Sequence, residues 1–213
     1  MFNGKLAFAA FGLAALLSAP TAQAGILDGT FAFTVFNGSG GGSITSANSQ
    51  ALPGNPLASG TPVATFTYTG PLAFQVESGS PTIADFINSG GGLVSGLTVT
   101  GGGLGSTLST SGFGTSTLFE IQSLSGPLSG IVTHDDGASL FQGDTNLMDS
   151  AASAPTTAEP TSFMLGSGDA TLWYVEANGT PADLVVNVPE PSSLALLAVS
   201  LLGLGAVYRR KRA

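Results

Sequence analysis

The chain contains no cysteine and few charged side chains. Among its 213 residues, Asp, Glu, Lys and Arg together make up 8%, against roughly 25% in an average soluble domain. The missing thiols exclude disulfide bonds, a cysteine nucleophile and cysteine-ligated metals. Between Gly25 and Val188 there is no Lys or Arg, whereas 12 of the 13 acidic residues lie in that stretch. Nucleic-acid binding needs cationic side chains that release counterions, and the composition therefore excludes it.

Residues suited to catalysis are also scarce. His134 is the single histidine, and no G-x-S-x-G sequence is present. No local pattern selects a pair of carboxylates for glycoside hydrolysis. The Gly-rich segments 38–61 and 90–115 do not match a phosphate-binding loop and indicate loops or bends. We therefore predict that the protein is not an enzyme, and we expect His134 to be a hydrogen-bond partner at a strand end.

The N-terminus carries the pattern of a secretory signal peptide. Lys5 precedes an apolar run from Leu6 to Leu17, and the run is followed by Ala22-Gln23-Ala24. Small residues at Ala22 and Ala24 form the site that signal peptidase accepts, so residues 1–24 are predicted to be removed after Ala24.

The C-terminus carries the pattern of a membrane anchor. Residues 192–208 are 17 consecutive residues without a charge, and as a helix they would extend about 25 Å, enough for a thin bilayer. Four of the five cations of the chain follow directly, and they are Arg209, Arg210, Lys211 and Arg212. These cations predict a cytoplasmic C-terminus. Pro189 and Pro191 prevent the predicted transmembrane helix from continuing toward the N-terminal side.

The order Pro189-Glu190-Pro191, apolar helix and basic tail resembles the PEP-CTERM sorting signal of Gram-negative bacteria, here over residues 188–213. The resemblance implies processing by an exosortase, a transient anchor in the inner membrane, and release to or attachment at the cell surface. Such proteins often occur in species that make exopolysaccharide. A plain C-terminal anchor is the alternative interpretation.

The region between the two ends has the periodicity of β-strands. In TFAFTVF, Phe31, Phe33 and Val35 share one face, and VATFTY alternates in the same way. Further short strands follow, separated by Gly, Pro and Asn, and no internal segment shows a convincing helical pattern. Trp173 and Tyr174 lie on opposite faces of one predicted strand, so at least one belongs to the core. We predict an all-β protein, with an antiparallel β-sandwich ectodomain over residues 25–187 between the signal helix and a single transmembrane helix.

The pairs Asp136-Gly137 and Asn178-Gly179 are typical of hairpin turns. The second pair would join the strand TLWYV to the strand DLVVNV.

A second resemblance begins at Gly130. Its positions are Asp135, Asp136, Gly137, Leu140, Phe141, Gly168, Tyr174, Glu176 and Gly179. Their order is similar to that in the second half of the protective-antigen-type β-sandwich domain of bacterial toxins, glycosidases and fungal adhesins. In the adhesins, two consecutive Asp residues hold a calcium ion that binds sugar hydroxyls, together with an Asn whose counterpart the sequence does not locate.

The resemblance implies that Asp135 and Asp136 are calcium ligands. Asp144 and Asn146 follow closely and can add oxygen ligands, of which calcium needs six to eight. An Asp-Asp-Gly sequence also forms a tight turn without a metal, so both interpretations stay open.

Together these features favour a non-enzymatic protein of the cell surface or extracellular matrix, exported through the inner membrane and sorted by an exosortase. Polysaccharide is its expected partner, and calcium is its candidate cofactor. Two alternatives remain from the sequence: a secreted hydrolase acting on polysaccharide, and a structural matrix protein without a ligand.

Overall fold

The computed structural model describes residues 24–148 and 157–189. Residues 26–188 form one compact unit, and the description below concerns that unit. The strands of the described chain are β1 (Ala24–Ile26), β2 (Asp28–Ser39), β3 (Ala64–Pro71), β4 (Ala73–Val76), β5 (Leu93–Val99), β6 (Thr115–Asp135), β7 (Gly137–Gln142), β8 (Thr145–Asn146), β9 (Glu159–Glu176) and β10 (Ala182–Pro189). All pairings among β2 to β10 are antiparallel. The prediction that the domain consists mainly of antiparallel β-strands is confirmed.

Two long strands connect the whole sheet. β6 has 21 residues and β9 has 18, and they pair with each other along most of their length. The first part of β6 pairs with β2, whereas its last part, Ile131–Asp135, pairs with β10. The register of β6 against β9 shifts twice between Ile121 and Leu128, and such bulges bend paired strands.

The sheet therefore has two arms joined by the bent β6–β9 ribbon. The first arm has the order β5-β3-β2-β6-β9-β7-β8, and the second contains β10 between β4 and the last part of β6.

The hydrophobic core lies between these two arms. Phe33 of β2 and Phe74 of β4 belong to strands that are not paired, yet their ring centroids lie 6.0 Å apart in an edge-to-face contact. The sheet thus folds over on itself, and the two layers expected of a sandwich belong to one continuous sheet. The predicted inward face of β2 is confirmed, since Phe31, Phe33 and Val35 are all buried.

One short helix, α1 (Ile83–Ser89), was not expected from the sequence. Its N-cap is Thr82, whose hydroxyl accepts a hydrogen bond from the backbone N–H of Asp85, while the Asp85 carboxylate accepts one from the N–H of Thr82. This reciprocal pair satisfies two backbone donors at the start of the helix. The helix places Ile83, Phe86 and Ile87 in the core. Seven residues are too few for a helical pattern to be recognised, which explains the missed element.

The two Gly-rich segments differ from each other. Segment 90–115 contains the edge strand β5, whose seven residues are all exposed. Segment 38–61 contains two short 3₁₀ turns, Ala47–Ser49 and Pro56–Ser59, and it packs over the outer face of the first arm. There it covers a second, smaller apolar cluster, formed by Phe36, Ala51, Leu118, Trp173, Val175 and Ala177.

The predicted signal and anchor segments fall mainly outside the described residues. This applies to Ala22, Glu190, Pro191 and the four cations at 209–212, whereas Ala24 and Pro189 lie at the ends of β1 and β10. In residues 24–148 and 157–189, no helix has the length and apolar character needed to span a bilayer. The domain boundaries at 24 and 188 stay predictions.

Candidate functional site

Two turns that are distant in sequence meet at one end of the domain. Asp136 connects β6 to β7, and Asn178 and Gly179 follow β9 before β10 begins. The hairpin prediction for both pairs is wrong, because β7 pairs with β9 and not β6, and β10 pairs with β4 and β6 and not β9. Each turn instead carries the chain from one arm to the other, which brings both to the same end.

The carboxylate of Asp136 holds the two turns together. Its Oδ2 accepts hydrogen bonds from the backbone N–H groups of Ala177, at 2.7 Å, and Asn178, at 2.9 Å. The peptide bond before Asp136 is cis. Burial raises the pKa of Asp136 to about 6, although the two N–H donors and Asp135 act in the opposite direction. Asp136 thus holds the two turns in contact, and it is also a candidate metal ligand.

Asp135 lies in a carboxylate-rich environment without a compensating cation. It pairs across the sheet with Asp183 of β10, and the two side chains are only 2% and 8% exposed. Oδ2 of Asp135 and Oδ1 of Asp183 are buried and have no hydrogen-bond partner in the described part of the chain. Burial, followed by the negative charges of Asp136 and Asp183, raises the pKa of Asp135 to about 7. A buried oxygen without a partner is costly, so this position is suited to a proton or a cation.

A neutral hydrogen-bond network lies beneath the two aspartates. Tyr174 donates its hydroxyl proton to the carbonyl of Asp135, and the same hydroxyl lies 3.1 Å from Oε2 of Glu176. Because a tyrosine has a single hydroxyl proton, Glu176 must supply the proton for the second contact. Burial, aided by the charge of Asp136, raises the pKa of Glu176 well above its ordinary value, which agrees with a protonated carboxyl. Ser109 completes the network by donating to Oε1 of Glu176 at 2.7 Å.

Both ring nitrogens of His134 form hydrogen bonds within the domain. Its Nδ1 lies 2.7 Å from the carbonyl oxygen of Asp136, which can only accept, so Nδ1 carries the proton. Its Nε2 then accepts from the hydroxyl of Thr161 at 3.0 Å. Burial lowers the pKa of His134, so the ring is neutral near pH 7. These contacts agree with the expected role at a strand end.

A small concavity opens beside the aspartates. It has a volume of about 40 Å³ and is lined by Asp135, Asp136, Asn178, Gly179, Thr180 and Pro181. A cavity of this size holds one water-sized species. Asn178 lines the concavity from a separate loop, and the sequence did not single it out as a candidate ligand. Its Oδ1 already accepts from the N–H of Gly112 at 3.0 Å and retains a second lone pair.

The structure does not bring Asp144 and Asn146 to this concavity. Asn146 pairs with Phe141, which is four residues along β7 from Gly137, or about 13 Å at the usual rise of a strand. Its Oδ1 accepts from the backbone of Met148. Calcium binds oxygen at about 2.3–2.6 Å, so one ion cannot contact all four predicted ligands.

Within the described ranges, no group of three or more His, Asp or Glu side chains is arranged around a single metal position. A cation beside Asp135 would therefore depend on the Asn178 amide and backbone oxygens for its remaining ligands.

Comparison with known protein families identifies the C-terminal segment. Residues 187–212 match the family described as the PEP-CTERM protein-sorting motif. The predicted sorting tail is thereby confirmed. No curated protein gives a significant match.

Two similar solved structures are PA14 domains, the protective-antigen type that residues 130–188 resemble. One is titled a PA14 sugar-binding domain from an RTX adhesin, with 11% identity, a TM-score of 0.40, and coverage of 76% of this chain and 88% of that chain. The other is the PA14 domain of the antifreeze protein MpAFP, with 15% identity, a TM-score of 0.44, and coverage of 76% and 82%.

Proposed function

We propose that this chain is an exported, non-enzymatic protein of the cell surface or extracellular matrix, sorted through an exosortase. The observation that carries the proposal is the PEP-CTERM protein-sorting motif at residues 187–212. The folded domain ends where the motif begins, since β10 ends at Pro189. Processing near this position would release the domain from its membrane anchor.

The sorting step can be tested in a Gram-negative bacterium that carries an exosortase. We expect the mature protein to lack residues 1–24 and the basic tail, and to appear at the surface or in the medium. Replacing both prolines of the motif, Pro189→Ala and Pro191→Ala, should leave the tail uncut and the protein membrane-bound. Pro53→Ala is the matched control, because Pro53 is an exposed proline outside the motif. Mass spectrometry of each fraction gives the cleavage points, and intact chain in the soluble cytosol would contradict the proposal.

We further propose that the domain binds carbohydrate at the concavity beside Asp135 and Asp136, with calcium as the bridging ion. Three features support this: the unpartnered carboxylate oxygen of Asp135, the 40 Å³ space beside it, and the absence of Lys and Arg from residues 25–188. Asp135, Asp136 and Asn178 would hold the ion. When bound, calcium would supply open coordination positions for sugar hydroxyls.

Thermal unfolding with calcium, with a chelator and with matched monovalent salt tests the ion site. Calcium should raise the melting temperature beyond the effect of ionic strength, since a ligand that binds the folded state stabilises it by about 2.7 kcal/mol at one hundred times its Kd. Asp136→Asn should abolish the calcium effect, and Asp144→Asn should preserve it, because Asp144 lies at the other end of β7. Equal melting temperatures in calcium and in matched monovalent salt would disprove the role of calcium.

A further inference from the structure

A second concave surface lies on the outer face of the first arm. It is a groove of about 600 Å³, within the range of 300–1,000 Å³ that is typical of ligand sites. The groove is distinct from the concavity at Asp136, because the two share no lining residue.

The lining of the groove combines aromatic and polar side chains. Trp173 and Phe141 supply aromatic rings, and Gln122, Ser125, Thr171 and Asp169 supply hydrogen-bonding groups. Trp173 is 7% exposed, so most of its ring packs in the apolar cluster of the outer face and only an edge reaches the groove. Its neighbour Tyr174 belongs to the core between the two arms.

The walls of the groove are fixed by the fold. On one side, β6 bulges at Ser123, a non-glycine residue with φ of 76°. At one end, Gln142 ties β7 to β9, since it donates to the carbonyl of Ser167 at 3.1 Å and accepts from the N–H of Gly166 at 3.2 Å. The opposite wall is Pro53, whose loop is held where the hydroxyl of Ser139 donates to the carbonyl of Ala51. A rigid site loses little entropy on binding.

The chemistry of the lining restricts the ligand. A purely apolar ligand would bury the hydroxyl groups of Ser125 and Thr171 without hydrogen-bond partners, which is unfavourable. A polyanion would meet Asp169 and no Lys or Arg, because residues 25–188 contain none. A neutral sugar presents C–H groups that pack on the partly exposed Phe141 and on the exposed edge of Trp173. Its hydroxyls pair with amide, hydroxyl and carboxylate groups. We propose that this groove binds a short neutral oligosaccharide, independently of calcium.

The groove and the proposed calcium site would both bind carbohydrate, but they lie on different surfaces. An experiment can therefore exclude one without excluding the other. Trp173 is the single tryptophan of the chain, and its fluorescence therefore reports directly on the groove. The probes are cellotetraose, maltotetraose and mannotetraose, with an anionic oligogalacturonate for comparison, all measured in the presence of a chelator. At least one neutral tetrasaccharide should change the emission of Trp173 saturably, and the anionic probe should not.

Variants test whether the signal arises in the groove. Ser125→Phe fills the groove and should weaken binding about tenfold or more, a loss of about 1.4 kcal/mol. Ser129→Phe introduces the same side chain at an exposed serine further along β6 and should bind like the wild type. Gln122→Ala should weaken binding several-fold, and Gln75→Ala, at an exposed glutamine of β4, should not.

Melting temperatures of all variants verify folding, and the chelator present in every titration removes any contribution from calcium. The inference is overturned if no neutral tetrasaccharide alters Trp173 emission at millimolar concentration. Equal binding by Ser125→Phe and wild type would also overturn it.

Discussion

Replacing Glu176 by Gln is expected to stabilise the domain at neutral pH, because the native carboxyl is held in its protonated form. The side chain is fully buried. Burial is the main cause that raises its pKa well above the ordinary 4.5, and the charge of Asp136 raises it further. The hydrogen-bond contacts of Glu176 with Ser109 and Tyr174 lower its pKa but do not outweigh burial. No Lys or Arg exists in residues 25–188 to stabilise an ionised form.

The sign and size of the effect follow from proton linkage. In the unfolded chain Glu176 ionises at its ordinary pKa, so folding at higher pH requires the uptake of a proton. The stabilising contribution of this group is fully present below that pKa and is lost as the pH rises toward the folded-state value. The cost rises by about 1.4 kcal/mol for each pH unit above the ordinary pKa until the folded-state pKa is reached. The amide introduced by Glu176→Gln is neutral at every pH and avoids this cost.

Urea unfolding in chelator at about pH 4, 5.5 and 7.5 measures the difference between the Glu176→Gln variant and the wild type. The two proteins should have similar free energies of unfolding at the lowest pH, and the stability advantage of the variant should grow at each higher pH. Glu77→Gln, at an exposed glutamate, should show no such trend. A difference that does not change with pH, or a variant that is less stable at pH 7.5, would refute a protonated Glu176.

Three further substitutions test the packing of the domain, each followed by urea unfolding. Phe33→Ala should cost about 3–5 kcal/mol, because its ring has aromatic neighbours at centroid distances of 5.0, 5.7 and 6.0 Å. Thr82→Ala removes the side-chain cap of α1 and should cost about 1 kcal/mol. Gly92→Ala should destabilise by about 1–3 kcal/mol, since a Cβ there would overlap with Cζ of Tyr68. Gly54→Ala, which meets nothing within 4 Å, should have little effect, and equal losses at both glycines would contradict the steric explanation.

Local sequence patterns identified most strands but not their lengths or partners. The segments TLFEIQ and GIVTH lie in one strand, β6, and SFML and TLWYV lie in another, β9. Gly126 and Pro127 interrupt the alternation between the first two segments, and the pattern therefore indicated two short strands. Pairing with β9 continues across this interruption with a shift in register. Backbone hydrogen bonds to a distant partner decided the outcome, and these are not visible in local periodicity.

The candidate site was likewise only partly predictable from local sequence. The Asp-Asp-Gly sequence pointed to Asp135 and Asp136, and the structure places both beside a small cavity. Proximity in sequence was a poor guide to the other ligands, because β7 carries Asn146 away from the pair. Asn178 and Asp183 could not be found from the sequence, since each approaches Asp135 only through the folding of the sheet.

The sequence by itself determined the features that depend on composition and on short contiguous motifs. These are the sorting motif at residues 187–212 and the inward faces of β2 and β3. The signal peptide and the exclusion of nucleic acid stay predictions from the sequence. Tertiary structure alone decided that two crossing turns meet at Asp136, that Asp183 faces Asp135, and that Trp173 borders a groove. The physical reason is that alternation fixes which face of a strand is buried, whereas the choice of neighbouring strand depends on how the whole core packs.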